Sequence, residues 1–153
     1  MAAIKGRNTE PELTIRSVLD TFKIGYDLHT ADLPGKPDIV LTRRKKVTFV
    51  HGCLWHMHRY RYGRVKPAVS WRFWRDKRDK NRERDKRNRR ALRRAGWEVL
   101  TVWECCTKRP KDLIASVAKF LTVTGSNFSF TPPPYIQFLL VPPKNPLTIR
   151  ILI

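Results

Sequence analysis

Residues 50–60, VHGCLWHMHRY, concentrate side chains that bind metals, move protons and stack on flat rings. His51, His56 and His58 all lie in this stretch, and Asp38 stands a short distance upstream. Imidazoles and carboxylates serve as general acids and bases and as ligands of hydrolytic metal ions. A single histidine is more often a hydrogen-bonded structural residue, Glu12 alone is typical of a helix cap, and Asp38 alone is typical of a turn. The concentration of these groups therefore favours a hydrolytic centre.

The cysteines allow a second kind of metal site. Cys53 and His58 have a spacing that can close on zinc if further ligands come from elsewhere, and Cys105 and Cys106 are the remaining thiols. Three cysteines give no disulfide framework, which indicates a reducing compartment.

The charge balance indicates the class of partner. The 153 residues carry 32 Lys+Arg and 13 Asp+Glu, a formal net charge of +19. Such a surplus opposes compaction unless a polyanion neutralises it, which favours a nucleic-acid binder over a protein with a merely solvated charge. A membrane surface is disfavoured, because no basic amphipathic helix with a wide apolar face and no bilayer-spanning run is visible. The length suits one domain with a real core.

Local patterns predict how the reactive residues are positioned. The stretch NTEPELTIRSVLDTF predicts a helix, with Thr9 as its N-cap and Glu12 in a capping box. The turn DLPGKPD then leads into DIVLT and KVTFVHG, which predict an antiparallel hairpin. This hairpin would place Asp38 at the start of one strand and His51 at the end of its neighbour.

The second half of the sequence predicts three further secondary-structure elements. Residues 72–94 hold 13 Lys+Arg and 4 Asp+Glu and predict a basic helix, either solvated or bound to phosphates, which Gly96 ends. The stretch WEVLTVWECC predicts a third strand, apolar enough to be central, with Cys105 and Cys106 at its end. An amphipathic helix follows in PKDLIASVAKFL. We assign residues 1–121 to one domain and 122–153 to a Pro-rich C-terminal extension without an assigned role.

Five blocks, AIKGRNTEPEL, DLPGKPDIV, FVHGCLWHMH, FW…K…N…RD and GWEVLTVWEC, resemble in order and spacing the very short patch repair (Vsr) mismatch endonucleases. The resemblance spans roughly residues 1 to 108. It implies an α/β, restriction-endonuclease-like fold with a mixed central sheet flanked by helices. It also implies a monomer that nicks double-stranded DNA 5′ of the thymine in a T:G mismatch left by deamination of 5-methylcytosine. The implied setting is the prokaryotic cytoplasm, close to the nucleoid, with other mismatch-repair proteins as candidate partners.

The same resemblance implies roles in the reaction. Asp38 and the backbone carbonyl of Val50 would hold a catalytic Mg²⁺, His56 would deprotonate the attacking water, and His51 and Glu12 would orient water and phosphate. One aspartate and one carbonyl suffice for Mg²⁺ only when DNA oxygens complete the shell.

The DNA contacts implied by the resemblance begin with an apolar wedge. Leu54, Trp55 and Trp74 match the positions that enter the base stack beside the mismatch, although phenylalanine is usual where Leu54 stands. Lys77 and Arg84 keep the family pattern of the basic helix, where Arg78 replaces an apolar residue. Asn81 and Asp85 would organise the side of that helix that faces the site.

Two departures from the family bear on zinc and on the N-terminus. Cys53, His58 and Cys105 match structural zinc ligands, but Tyr60 stands where the family has a further cysteine. Cys106 or a water would complete the site, or zinc is absent; we expect an incomplete site rather than a full one. The arm that holds the minor groove is expected to be short.

Two alternatives to mismatch nicking stay open. One is a site-specific nicking nuclease that needs no mismatch, and the other is a basic DNA-binding relic with impaired catalysis. Retention of Glu12, Asp38, His51 and His56 together favours an enzyme.

Overall fold

The structure is a computed structural model and describes residues 7–53 and 71–122. Its helices and strands, in chain order, are α1 (Glu10–Thr21), β1 (Asp27–Leu28), β2 (Ile39–Leu41), β3 (Lys46–His51), α2 (Trp71–Arg94), β4 (Glu98–Trp103), α3 (Glu104–Thr107) and α4 (Pro110–Thr122). A single 3₁₀ turn, Thr42–Arg44, joins β2 to β3 where a basic turn was predicted.

The described strands form one sheet in the order β1-β2-β3-β4. β1 pairs with β2 and β2 pairs with β3 in antiparallel register, whereas β3 pairs with β4 in parallel register. The predicted hairpin is therefore confirmed, with Ile39 opposite Thr48. A mixed sheet flanked by helices also confirms the predicted α/β class.

Two apolar clusters hold the helices on the sheet. The larger one joins the inward face of α1, with Ile15 and Leu19, to α4 and to β2 and β4. The smaller one packs Leu92, near the end of α2, against Val47 and Phe49 of β3. Because alternate residues of a strand face opposite sides of a sheet, α1 and α4 cover one face and α2 covers the other.

The long helix α2 turns a mostly polar stripe towards the protein. Its less exposed side chains recur at helical spacing and, apart from Trp74, Ala91 and Leu92, are charged or amide groups. Arg78 is buried, at 7% exposed. The members of this stripe are Trp74, Arg78, Asn81, Asp85, Asn88 and Leu92. The outward faces carry the basic surplus that the sequence predicted.

The segment after α2 differs from the prediction. Gly96 ends the helix as predicted, with φ +79° and its N–H donating to the carbonyl of Arg93 across 3.1 Å. The strand that follows stops at Trp103, so Cys105 and Cys106 lie in the short helix α3. In the part of the sheet described here β4 pairs with β3 alone, so the prediction of a central strand was wrong for these residues. An apolar run cannot separate a central strand from an edge strand half-covered by helices.

A fully buried lysine ties α4 to the sheet. The Nζ of Lys46 donates to Glu98 Oε2 at 2.7 Å and to the carbonyl oxygen of Phe120 at 2.8 Å. The same Nζ lies 4.8 Å from the centroid of the Phe120 ring. Lysines are almost never fully buried unless they are paired, and this one bonds both a carboxylate and one of the last carbonyls of a helix. The predicted extension, residues 122–153, lies outside the described residues apart from Thr122, which ends α4.

Candidate active site

Asp38 stands at the entrance to β2, as predicted, and its carboxylate reaches across to β3. The backbone N–H of Val50 donates to Asp38 Oδ2 at 2.7 Å. Burial raises the pKa of the Asp38 carboxyl, the Val50 hydrogen bond opposes that rise, and the nearby Glu12 carboxylate adds to it. The site therefore holds a carboxylate in surroundings that disfavour its negative charge, which a cation would relieve.

The Val50 carbonyl lies on the same side of β3 as the Val50 N–H, because both groups of a strand residue face the same neighbouring strand. Continuing the β2–β3 register by two residues puts Pro37 opposite Val50. Proline has no backbone N–H, so Pro37 cannot donate a ladder bond to that carbonyl. The sequence Pro37-Asp38 thus places a carboxylate beside a carbonyl that has no ladder donor opposite it.

Glu12 has two roles in the structure. It fixes the residues at the start of α1, because Thr9 Oγ1 donates to Glu12 Oε1 at 3.0 Å and the N–H of Asn8 donates to Glu12 Oε2 at 3.0 Å. Arg16 adds an ion pair at 3.3 Å. Thr9 is the N-cap residue, as predicted, but its side chain makes no capping hydrogen bond to the helix backbone, so these contacts to Glu12 stand in place of the predicted capping box. The side chain is nevertheless buried beside Asp38, where the resemblance had placed it.

His29 completes this group and was not predicted from the sequence. Donor atoms of Glu12, His29 and Asp38 all lie within 4.8 Å of one another. The His29 N–H donates to the carbonyl of Asp38 across 3.2 Å, which extends the β1–β2 pairing by one residue. Since β1 has only two residues, no alternation in the sequence could reveal it; the hairpin register is the one signal that could have paired His29 with Asp38.

His51 ends β3, as predicted, but faces the α2 side of the sheet. Its ring lies edge-on to Trp103, with centroids 5.4 Å apart, and 5.9 Å from the ring of Phe49. A small cavity beside it is lined by Phe49, His51, Asp85, Asn88 and Arg89. Among the described residues His51 is not a member of the Glu12–His29–Asp38 group. Asp85 therefore lies near His51, and its predicted role in organising the side of α2 that faces the site stays a prediction.

The turn before Asp38 rests on α2. Gly35 has φ +83°, and a Cβ added there would lie 2.8 Å from Asn88 Nδ2. The glycine therefore allows both the left-handed backbone and the close approach of the helix. Through this contact, α2 packs against the turn that precedes Asp38 and helps to position Asp38 in the site.

Two of the predicted zinc ligands are neighbours. The N–H of Cys105 donates to Cys53 Sγ at 3.4 Å, and both side chains are buried. Burial, followed by hydrogen bonding with Cys53, raises the pKa of the Cys105 thiol to about 12. In the described part of the chain, Cys53, Cys105 and Cys106 do not form a three-donor group comparable to the one around Asp38. Cys106 as the substitute ligand thus gains no support from these residues.

The start of α2 exposes aromatic and basic side chains together. Phe73 is 60% exposed and lies edge-on to Trp74, with ring centroids 5.6 Å apart. The Lys77 ammonium lies 5.4 Å from the centre of the Trp74 ring. Arg84, further along, is exposed and lies 3.7 Å from Asp85. Aromatic faces beside ammonium and guanidinium groups suit nucleic acid. The other predicted site residues, Leu54, Trp55, His56 and His58, and the substituted Tyr60, lie outside the described residues.

Comparison with known proteins identifies the family. The sequence model described as DNA mismatch endonuclease Vsr matches residues 1–62. The DNA mismatch endonuclease Vsr of Escherichia coli strain K12 is 41% identical over 113 residues, which cover 74% of this chain and 72% of that protein. The chain belongs to the Vsr family of DNA endonucleases. It is also 44% identical over 105 residues to the type II nicking enzyme V.XorIIP of Xanthomonas oryzae pv. oryzae, covering 69% of this chain and 76% of that enzyme.

A third relative is similar over a comparable share of the chain. The type II nicking enzyme V.NmeAIP of Neisseria meningitidis is 39% identical over 124 residues, which cover 76% of this chain and 88% of that enzyme. The mixed sheet is consistent with the restriction-endonuclease-like fold expected of a Vsr protein. None of the helices within residues 7–53 and 71–122 has the length and apolar character needed to cross a membrane.

Proposed function

We propose that this Vsr-family chain nicks double-stranded DNA 5′ of the thymine in a T:G mismatch by Mg²⁺-dependent hydrolysis of a phosphodiester. The observation that carries the proposal is the partly buried Asp38 carboxylate, which adjoins Glu12 and the Val50 backbone at one edge of the hairpin. A nuclease needs such a fixed negative group to recruit a divalent cation against a DNA phosphate.

The donor set fits Mg²⁺. Asp38 offers the oxygen that Val50 does not occupy, and the Val50 carbonyl faces the same strand edge. Mg²⁺ takes few protein oxygens and completes its octahedral shell with water and substrate oxygens. When bound, the ion would supply neutralisation of the charge that develops on the phosphate. Asp38 and Val50 are accordingly the proposed ligands.

The proton steps are assigned to imidazole and carboxylate groups. His56 is proposed as the base that takes a proton from the attacking water, since a neutral imidazole suits that role near neutral pH. Glu12 would orient water next to Asp38, which its position beside that carboxylate favours. His51, which lies on the α2 side of β3, would orient water and phosphate.

Recognition of the mismatch is assigned to an apolar wedge. Leu54, Trp55 and Trp74 would enter the base stack, and the partly exposed Trp74 at the start of α2 supports this assignment. A mismatched step is weakly stacked, so opening it costs less than opening a matched step. Lys77 and Arg84 would neutralise phosphates, as their exposure on the basic helix allows.

Zinc is proposed as an incomplete structural site. Cys53 and Cys105, which lie in hydrogen-bonding contact, would supply two thiolates and His58 a third ligand. Zinc binding would have to displace the proton of Cys105, so occupancy should fall as the pH falls. The metal content of protein prepared without chelator, compared with that of Cys53→Ser, tests the site. Equal zinc content in the two proteins would remove it.

The biological setting follows from the proposed substrate. We propose that the protein acts as a monomer on chromosomal DNA in the bacterial cytoplasm, in the neighbourhood of the nucleoid. The bacterial origin of the relatives supports this placement. Other mismatch-repair proteins are candidate partners for processing the nick.

The decisive experiment compares two duplexes that differ by one base, one with a T:G pair and one with T:A. We expect Mg²⁺-dependent nicking of the T:G duplex alone. Asp38→Ala and His56→Ala should abolish nicking and keep most of the DNA binding. Tight, salt-sensitive binding without cleavage of either duplex would instead identify a DNA-binding relic.

A second candidate function is nicking at a defined sequence without a mismatch. It is favoured by the names of two relatives described above, which are type II nicking enzymes. Equal nicking of the T:A duplex, limited to one sequence context, would establish this candidate in place of the first.

A further inference from the structure

We propose that His29 adds an imidazole ligand to the Asp38 centre, so that Glu12, His29 and Asp38 form a three-donor site for a divalent transition metal such as Mn²⁺. The proposal deepens the nuclease function proposed above and rests on it for its catalytic meaning. The ligand set differs from an aspartate and a carbonyl alone, because it holds a nitrogen and a second carboxylate.

The spacing of the three side chains suits one ion. Their donor atoms lie within 4.8 Å of one another. Ligands held about 2.0–2.2 Å from a metal are separated by at most about 4.4 Å. Only one pair of ligands can stand opposite each other at that separation, and adjacent ligands lie about 3 Å apart, so side-chain rotation must draw the three donor atoms together to close the site.

The His29 ring presents an available nitrogen to the two carboxylates. Its Nε2 is buried and makes no hydrogen bond to the described residues. The Glu12 Oε2 atom lies 3.7 Å away, which is too far for a hydrogen bond. A buried structural histidine normally has both ring nitrogens satisfied. A nitrogen aimed between two carboxylates without bonding either has the arrangement of a metal ligand.

The backbone holds His29 at this position. Its N–H donates to the Asp38 carbonyl, which links the two residues across the strands. His29 also has φ +50°, a left-handed conformation that is uncommon outside glycine. Backbone strain of this kind persists where surrounding structure enforces it, and here it turns the ring towards Glu12 and Asp38.

Both carboxylates keep room for an ion. Three hydrogen bonds from Asn8, Thr9 and Arg16 reach Glu12, which leaves about one of the roughly four lone-pair positions of a carboxylate open. Asp38 uses Oδ2 for Val50 and keeps Oδ1. Hydrogen bonds that fix ligating carboxylates are common around protein metal sites.

The ligand set predicts which metal binds best without DNA. Mg²⁺ prefers oxygen ligands and retains several waters, whereas transition metals of the Mn²⁺ to Zn²⁺ series also accept imidazole. Two carboxylates and an imidazole supply three protein ligands before any DNA phosphate arrives. Mn²⁺ should therefore bind the DNA-free protein more tightly than Mg²⁺, and His29 should account for the difference.

The test measures Mn²⁺ and Mg²⁺ binding to the full chain without DNA, by calorimetry and by the electron paramagnetic resonance signal of free Mn²⁺. His29→Asn is the main variant, because asparagine tolerates a positive φ. We expect it to weaken Mn²⁺ binding about tenfold or more while Mg²⁺ binding changes about twofold or less. Asp32→Asn, which removes an exposed carboxylate from the same loop, is the matched control and should leave both affinities unchanged.

Two results would overturn the proposal. One is an Mn²⁺ affinity of the folded wild type no greater than its Mg²⁺ affinity, and the other is an unchanged Mn²⁺ affinity in His29→Asn. A circular dichroism spectrum checks that each variant is folded. His29→Gln repeats the test with a second substitution at the same position. Wild-type protein that binds Mn²⁺ through His29 yet nicks neither duplex would refute the proposed function and leave this site standing.

Discussion

The backbone N–H of Val50 and the carboxylate of Asp38 are joined across the hairpin by a 2.7 Å hydrogen bond. The bond stabilises the ionised aspartate, but burial and the neighbouring Glu12 raise its pKa on balance. A carboxyl whose pKa is higher in the folded than in the unfolded state takes up protons on folding. Its contribution to stability is present below the unfolded pKa and is lost as the pH rises through the folded pKa.

Asp38→Asn should accordingly stabilise the metal-free protein at neutral pH, because an amide can accept the Val50 hydrogen bond without carrying a charge. We expect the free energy of unfolding in chelator at pH 7 to rise by about 0.5–2 kcal/mol. The gain should shrink as the pH falls, because the wild-type Asp38 carboxyl, whose pKa is raised by burial, then becomes protonated. Urea denaturation checks this, with the exposed Asp32→Asn as control. Destabilisation by Asp38→Asn at pH 7 would contradict the prediction.

Gly35→Ala should destabilise the turn that delivers Asp38. The substitution meets both a positive φ and the side chain of Asn88, so we expect a loss of about 1–3 kcal/mol. Two other glycines distinguish the effect of the positive φ from the effect of the contact with Asn88. Gly96→Ala has positive φ but open space and should cost about 1 kcal/mol, and Gly25→Ala has open space without positive φ and should cost less.

Asn88→Ala in the Gly35→Ala background is the complementary variant. It removes Nδ2 and Cγ of Asn88, two of the three atoms that a Cβ at residue 35 would meet, and leaves the Cβ of residue 88 at 3.0 Å, so it should restore part of the lost stability. Thermal unfolding of the single and double variants measures the coupling. If the stability losses of the two single variants simply add up to the loss of the double variant, residues 35 and 88 do not interact.

Lys46→Met should loosen the attachment of α4 to the sheet. Methionine fills a similar volume but leaves the Phe120 carbonyl without its donor. Glu98 is partly exposed and can be hydrated, so most of the cost comes from that carbonyl, about 1–3 kcal/mol. Lys119→Met, at an exposed position on α4, is the matched control and should stay within about 0.5 kcal/mol of the wild type. Equal denaturation midpoints for the two variants would argue against this anchoring role.

Removing positive charge from the outer face of α2 should change the salt dependence of DNA binding. If Lys77 and Arg84 each neutralise one phosphate, Lys77→Gln and Arg84→Gln should each reduce the slope of log K against log salt by about 0.9. Binding titrations over a range of salt concentrations provide the measurement. Lys119→Gln on α4 serves as the control, and an equal change in slope there would mean that the effect reflects net charge alone.

Features with a local signal in the sequence were predicted well. The start of α1 at Thr9 and Glu12 and the hairpin around Asp38 are encoded within a few residues, by N-cap preferences and by two short β-branched runs. The position of Asp38 at the start of one strand followed from these alone. Gly96 ended α2 because a left-handed residue is the usual end of a helix.

Features set by long-range packing were missed. His29 comes from a two-residue strand, too short to show alternation, and meets Asp38 only through strand pairing. Lys46 begins the predicted strand KVTFVHG, and nothing in the neighbouring residues indicates that it pairs with Glu98 or with the end of α4. The edge position of β4 in the described sheet depends on which strands pair, which an apolar run does not specify.

The hydrophilic underside of α2 has a consequence for motion. Separating a helix with an apolar face from a hydrophobic core costs roughly 25 cal/mol for each Å² of apolar area that becomes exposed to water. Here water would mostly meet amides, a carboxylate and a guanidinium, all of which it solvates readily. Separating this part of the helix from the sheet would therefore expose less apolar area than separating an amphipathic helix, and the buried apolar contact of Leu92 lies near the C-terminal end of α2. DNA bound to the outer face of α2 would then set the angle between this helix and the sheet. That angle would in turn affect the position of the turn that leads to the nuclease centre.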